Sequence, residues 1–311
     1  MNAGSMKAEI RDGQFQRQED AFRTWVTRDG SSGYKAEAGR YHLYVSLACP
    51  WAHRTVIARR LKGLEKVIGM TVVDPVRDER GWAFGDGPGH PRDPVNDFRF
   101  LSEAYLATDP HYDARVTVPV LWDIETGRIV NNNEDDLLHI FNREFADCAA
   151  SDLDLFPQAL RAEIDRLDEL IYPTINDGVY RAGFATTQTA YEQAARILFA
   201  TLDQLEERLT SRRYLTGGQI TAADWKLFPT LIRFDPVYHV HFKCNLRRLV
   251  DYPNLWGYLR DLYQQEGIAA TVDFDHIKRH YYMTHEEINP TRIVPIGPHL
   301  DLTTPHGRDL R

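Results

Sequence analysis

Tyr41-His-Leu-Tyr-Val-Ser-Leu-Ala48 runs straight into Cys49-Pro50-Trp51-Ala52. Tyr41, Leu43, Val45 and Leu47 alternate with His42, Tyr44 and Ser46, the two-residue period of a strand. Pro50 suits the first position of a helix, because its ring presets φ and its missing N–H is not needed there. Ala52 to Leu61 then carries apolar residues and arginines at helical spacing. Cys49 is thereby placed at a helix N-terminus, where orphan N–H groups and the helix dipole favour a thiolate over a thiol. A cysteine taken alone reads as a small buried hydrophobe. The order strand, Cys, Pro, helix makes this one a candidate nucleophile.

Outward from this point the pattern continues as α/β. A second strand is expected near Val67 to Val73, then a polar Gly/Pro-rich stretch from Asp74 to Phe98, long enough to be a functional loop. Leu101 to Thr108 reads as a short helix. Val116-Thr-Val-Pro-Val-Leu-Trp122 and Arg128-Ile-Val130 flank Asp123 to Gly127 as an antiparallel hairpin. A helix follows over Glu134 to Phe145. This βαβ, α, ββ, α order is a small mixed sheet with helices.

Past a linker at 147–157 the strand signals stop. Tyr191, Ala195, Leu198, Leu202, Leu205 and Leu209 recur at spacings of four and three, the seam of a buried helix. Thr221-Ala-Ala-Asp224 is a capping box, with Ile220 and Trp225 at the staple positions. The expected domains are a polar N-terminal extension over 1–40 docked on the rest, an α/β domain over 41–146, the linker, and an all-helical domain over 158–311 ending in a C-terminal extension. Met1-Asn-Ala-Gly-Ser-Met6 has the make-up of a cloning scar.

The bulk numbers exclude several classes. The 311 residues suffice for two domains, and 43% hydrophobic with 26% charged residues is ordinary for a globular chain. A net charge of −8 without a basic cluster leaves no footprint for nucleic acid or an anionic membrane. No apolar run is long enough to span a membrane, and the polar N-terminus is no signal peptide. Three scattered cysteines, Cys49, Cys148 and Cys244, make no disulfide scaffold and point to a reducing cytoplasm.

Two further motifs bear on chemistry. Pro119 inside a strand-like run marks an edge strand or bulge, or else a cis Val118-Pro119 bond that turns Val118 outward toward an extended ligand. Beside Cys49-Pro50 the cis reading gains, because together they outline a thioredoxin-type thiol site. His239-Val-His241-Phe-Lys-Cys244 clusters metal-ligand types but lacks a convergent fourth ligand, so no metal is expected. Tyr180, Tyr238, Tyr281 and Tyr282 read either as core aromatics or as phenols converging on a polar aromatic substrate.

Leu47-Ala-Cys-Pro-Trp-Ala-His-Arg54, Val118-Pro119, Gly178-Val-Tyr-Arg-Ala-Gly-Phe184, Phe234-Asp-Pro-Val-Tyr-His-Val-His-Phe-Lys-Cys-Asn245 and His276-Ile-Lys-Arg-His-Tyr-Tyr282 resemble the xi-class glutathione transferases, the glutathionyl-hydroquinone reductases. The resemblance implies a thioredoxin-like N-terminal domain with a cis proline, an all-α transferase-type C-terminal domain and a homodimer. It implies reductive removal of a glutathionyl group from a hydroquinone, with glutathione as cosubstrate and no metal. Carried over by position, Cys49 is the nucleophile, Val118 with Pro119 pairs with the thiol's peptide backbone, and Trp82 lies along the thiol. Tyr180, Tyr238 and Tyr281 line the aromatic site.

Where the family has Glu-Ser to hold the γ-glutamyl end, this chain has Asn133-Glu134, followed by Asp135 and Asp136. Three acceptors in place of a hydroxyl donor would suit a hydroxyl-rich thiol such as mycothiol. The other reading keeps glutathione: Asp135 and Asp136 point to solvent, Glu134 takes the glutathione ammonium and backbone N–H groups take its carboxylate. Competing readings are an omega-type thioltransferase or dehydroascorbate reductase, which shares Cys49 but not the need for the tyrosines, and a non-catalytic binding module that keeps the fold.

Overall fold

Strand β1 (Tyr41–Val45) is buried along its whole length because it lies inside the sheet. The computed structural model describes residues 9–11 and 13–309, so Met1–Met6 lie outside the described residues. Parallel to β1 runs β2 (Gly69–Val72), and antiparallel to it β3 (Val120–Asp123), followed by β4 (Arg128–Asn131). The order β2-β1-β3-β4 is a small mixed sheet of thioredoxin-like type. Gly69 opposite His42 is a steric requirement: a Cβ there would stand 2.4 Å from the imidazole Nδ1. That ring bonds Thr71 Oγ1 at 2.7 Å, and burial lowers its pKa to about 4, which keeps it neutral.

The expected strand over 116–122 begins only at Val120. Pro119 has no N–H to give to a ladder, and the Val118–Pro119 peptide is cis. Helix α1 (Pro50–Leu61) follows β1, α2 (Leu101–Thr108) precedes β3, and α3 (Glu134–His139) follows β4, its last residues continuing into a wider turn over Ile140–Glu144. The hairpin turn is fixed by Asp123, fully buried, which accepts from Arg40 Nε at 2.8 Å and from Thr126 Oγ1 at 2.7 Å.

Residues 22–24 run along the β4 edge: Thr24 N–H donates to Val130 O at 3.1 Å and Asn132 N–H to Phe22 O at 2.9 Å. This covers an edge that would otherwise be open to pairing. Phe22 packs on Tyr105 and Tyr112, while Trp25 is exposed.

The described chain packs as two compact units, one of 18–153 and 271–285, the other of 9–17, 154–270 and 286–309. The second is helical, with α4 (Arg161–Ile171), α5 (Gly178–Gly183), α6 (Gln188–Ser211), α7 (Ala222–Arg233) and α8 (Pro253–Tyr263). The seam of α6 is buried from Ala195 through Leu209, but Tyr191 turns to the rim and gives its hydroxyl to Lys243 O at 2.7 Å. The carboxylate half of the capping box forms: Thr221 N–H donates to Asp224 Oδ2 at 2.8 Å, and the Thr221 hydroxyl lies 3.2 Å from the same oxygen. Orphan carbonyls at the end of α6 are taken by the buried guanidinium of Arg308, which reaches Leu209 O, Arg212 O and Arg213 O.

The chain then returns to the first unit as α9 (Phe274–Thr284). The sequence groups this helix with 158–311. Polar side chains on it bond the 74–100 loop, a signal that apolar periodicity does not carry.

Candidate active site

Cys49 is the N-cap of α1, with φ −75° and ψ 122°, and its carbonyl accepts the first helical bond from His53 N–H at 3.0 Å. Its Sγ, half-buried, lies 3.7 Å from Val118 O, which brings the sulfur onto the cis-proline turn. No acidic residue stands in the first turn of α1 to oppose a thiolate there. The other two cysteines differ. Cys148 lies past α3, and Cys244 is buried, which pushes its thiol well up.

The Asn133-Glu134 pair that heads α3 is committed to protein contacts. Asn133 Oδ1 caps the helix by accepting from Asp136 N–H at 2.9 Å, and its Nδ2 donates to Asp20 Oδ2 at 2.8 Å. Glu134 is buried and accepts from Arg54 Nη1 at 3.2 Å, so a carboxylate and a guanidinium are paired there out of water. Arg23 grips Asp136 through two bonds of 2.8 and 2.6 Å. Arg54 is a residue that the sequence reading missed. It lies one turn and a half beyond Cys49 in the quoted motif, and only its charge in an otherwise apolar stretch marked it.

Trp82 is buried in the 74–100 loop. Its backbone carbonyl accepts from Leu101 N–H at 2.9 Å, and the loop is further tied by Tyr44 Oη, which donates to Asp93 Oδ1 at 2.9 Å. The Trp82 ring stacks on His280 of α9, centroids 5.0 Å apart, and the Arg77 guanidinium lies over it at 5.2 Å. Tyr281, also buried, contacts the rings of His280 and His285 at 5.2 and 5.5 Å. Trp82 and Tyr281 thus share one neighbour, His280.

In the helical unit Tyr180 and Tyr238 come together, ring centroids 6.0 Å apart, in a cluster with Phe184, Phe242 and Phe15. Tyr238 belongs to a wider helical turn, Phe234–Tyr238, that continues α7. Gly183 admits this cluster: a Cβ would stand 2.2 Å from Phe242 Cγ. Both phenols are buried. Tyr282, fourth in the sequence group, is buried with its hydroxyl pushed up to about 12 by desolvation. His241, in the His-Val-His stretch, is held neutral by burial, its pKa lowered to about 4. Among the described residues no three His, Cys, Asp or Glu side chains are grouped to hold a metal ion, and no helix is long and apolar enough to cross a membrane.

The sequence matches the Glutathione S-transferase, N-terminal domain family over residues 48–143 and the Glutathione S-transferase, C-terminal domain family over 188–261. It is 53% identical over 306 residues to the glutathionyl-hydroquinone reductase YqjG of Escherichia coli, covering 96% of this chain and 93% of that one. It is 49% identical over 286 residues to the glutathionyl-hydroquinone reductase PcpF of Sphingobium chlorophenolicum, covering 92% and 90%. The glutathione-bound structure of YqjG superposes with a TM-score of 0.91 at 52% identity, covering 93% of this chain and 96% of that one. The xi transferase of Phanerochaete chrysosporium gives 0.90 at 50%, covering 92% and 93%. The chain belongs to the glutathione S-transferase family, in its xi class of glutathionyl-hydroquinone reductases.

Proposed function

We propose that the protein is a glutathione-dependent reductase that removes the glutathionyl group from hydroquinone conjugates through a mixed disulfide at Cys49. The reading rests above all on one observation: the Cys49 sulfur stands at the N-terminus of α1, 3.7 Å from Val118 O at the proline turn. The relatives named as glutathionyl-hydroquinone reductases support the substrate class.

The thiolate is the attacking form of cysteine. Cys49 Sγ attacks the sulfur of the aryl thioether; the new S–S bond forms as the S–C bond breaks, and the electron pair passes to the ring carbon. That carbon is a poor leaving group unless the ring is a keto tautomer or receives a proton as it departs. Tyr180, Tyr238 and Tyr281 are assigned to hold the ring oxygens and supply that proton. Val118 with Pro119 pairs with the peptide of the glutathionyl part, Trp82 lies along it, and Asn133 and Glu134 stand at its γ-glutamyl end. A second glutathione thiolate attacks the glutathionyl sulfur of the mixed disulfide, which frees Cys49 and yields glutathione disulfide. For each ring reduced, one glutathione thiol sulfur and the thioether sulfur of the conjugate are oxidised to the disulfide.

Cycling through a free thiol suits a reducing compartment, which supports the cytoplasm, and the family resemblance supports a homodimer, which light scattering on the purified protein checks. The test of the reaction is chromatographic release of hydroquinone from its glutathionyl conjugate. Cys49→Ser is expected to abolish it, with Cys148→Ser retaining it, and one glutathione disulfide is expected per hydroquinone. Turnover that survives Cys49→Ser overturns the reading, and faster wild-type turnover with mycothiol than with glutathione overturns the choice of thiol.

A further inference from the structure

We propose that His280 is the positioning residue that fixes the ring of Trp82. The proposal rests on the assignment of Trp82 to the thiol site, made above.

The 74–100 loop is rich in Gly, Pro and charge, so apolar burial alone gives it few fixed points. Helix α9 supplies them from one stripe. His276, His280 and Thr284 recur every four residues and share a face. His276 Nε2 bonds Pro88 O at 2.9 Å, His280 Nδ1 bonds Pro75 O at 2.7 Å, and Thr284 Oγ1 accepts from Arg77 N–H at 3.2 Å. Each rung holds a different point of the loop. Gly89 admits the first rung: its φ is +76°, and a Cβ would meet His276 Nε2 at 2.6 Å.

Only the His280 rung touches Trp82. The imidazole and indole planes lie 23° apart with centroids at 5.0 Å. The indole Nε1–H is buried and has no hydrogen-bond partner among the described residues, so no side-chain hydrogen bond of Trp82 selects its rotamer. Ring contacts select it instead, from His280 on α9 and from Arg77 within the loop. Because His280 is anchored at Nδ1, its ring plane is fixed, and the indole takes its plane from there. His276 holds the same loop without contact to the indole ring, which separates anchoring the loop from orienting Trp82.

The test is glutathione binding to the full-length protein by titration calorimetry, read with the melting temperature of each variant. His280→Ala is expected to weaken glutathione about fivefold, the worth of one aromatic contact. His280→Phe keeps a ring on the indole and is expected to restore binding to within about twofold of wild type on the same scale. His276→Ala, which removes a rung and no ring, is expected to leave binding unchanged even where it lowers the melting temperature. Trp82→Ala is expected to weaken binding by itself, and the double variant to bind no more weakly than Trp82→Ala alone. Independent, multiplying losses in the double variant overturn the proposal, as does equal weakening by His276→Ala and His280→Ala. Trp82→Ala with wild-type affinity would remove Trp82 from the thiol site and the proposal with it; hydroquinone release by the wild type, measured alongside, reports separately on the reductase reading.

Discussion

Asp177→Asn should stabilise the helical unit at neutral and alkaline pH and not in acid. Asp177 precedes α5, the helix that carries Tyr180, and its side chain makes no cap bond to it. Its Oδ1 is buried with no hydrogen-bond partner among the described residues. Burial raises the carboxyl pKa from 3.8 to about 6, against the pull of Arg17 and Arg181 and with a push from Glu9. Each pKa unit is worth about 1.4 kcal/mol, so the shift from 3.8 to about 6 amounts to about 3 kcal/mol. The sign follows from proton binding. Between the two values the folded state holds the proton and the unfolded chain does not, so stability is greatest below the unfolded value and falls as pH rises through about 6. An asparagine keeps the shape and cannot ionise. Urea unfolding of wild type and variant should therefore show the gap between them grow by about 2–3 kcal/mol in the variant's favour from about pH 4 to about pH 8. A gap that does not change with pH, or one that moves toward the wild type in alkali, would refute the reasoning.

Phe substitutions at Tyr180, Tyr238 and Tyr281 should each lower hydroquinone release about tenfold or more while reduction of a simple glutathionyl disulfide by Cys49 stays within about twofold; equal loss in the two assays would favour a general thioltransferase. Glu134→Gln should destabilise the first unit by about 3 kcal/mol in urea unfolding, because it leaves the buried Arg54 guanidinium without its carboxylate. A loss below about 1 kcal/mol, the range of exposed pairs, would show that the pair is solvated in practice.

The parts of the fold that were legible are those written in neighbouring residues. Strand β1, the Cys49-Pro50 step into α1, and the Thr221-Asp224 box follow from alternation, a fixed φ and a cap, all within one turn of chain. Val116 to Val118 look like strand by residue type, yet the ladder begins beyond Pro119, because the missing N–H outweighs β propensity. Tyr191 fits the periodicity of α6 but carries a hydroxyl that finds a carbonyl at the rim. What stayed hidden are bonds between distant residues: Arg54 with Glu134 lies 80 positions apart, and His280 with Pro75 lies 205 apart. Periodicity reports which face is buried, not which carbonyl a histidine on that face will meet.

The acidic head of α3 shows how such distant partners change a chemical conclusion. Read as sequence, Asn133-Glu134-Asp135-Asp136 offers an amide and three acceptors, an arrangement that argues against a carboxylate-bearing thiol. In the structure two of those carboxylates face guanidinium groups brought from elsewhere, Glu134 meeting Arg54 from α1 and Asp136 meeting Arg23 from the segment along β4. The Asp136 bond is strong enough to raise Arg23 above its ordinary pKa. A paired carboxylate projects a dipole instead of a full charge, and the field of a dipole falls off faster with distance than that of an ion. Asn133, the one amide in that set, spends Oδ1 on the helix cap and Nδ2 on Asp20. The repulsion that the sequence implied against the γ-glutamyl carboxylate is therefore reduced at two of its three sources, which weakens the physical argument for a hydroxyl-rich thiol and leaves glutathione as the chemically consistent partner.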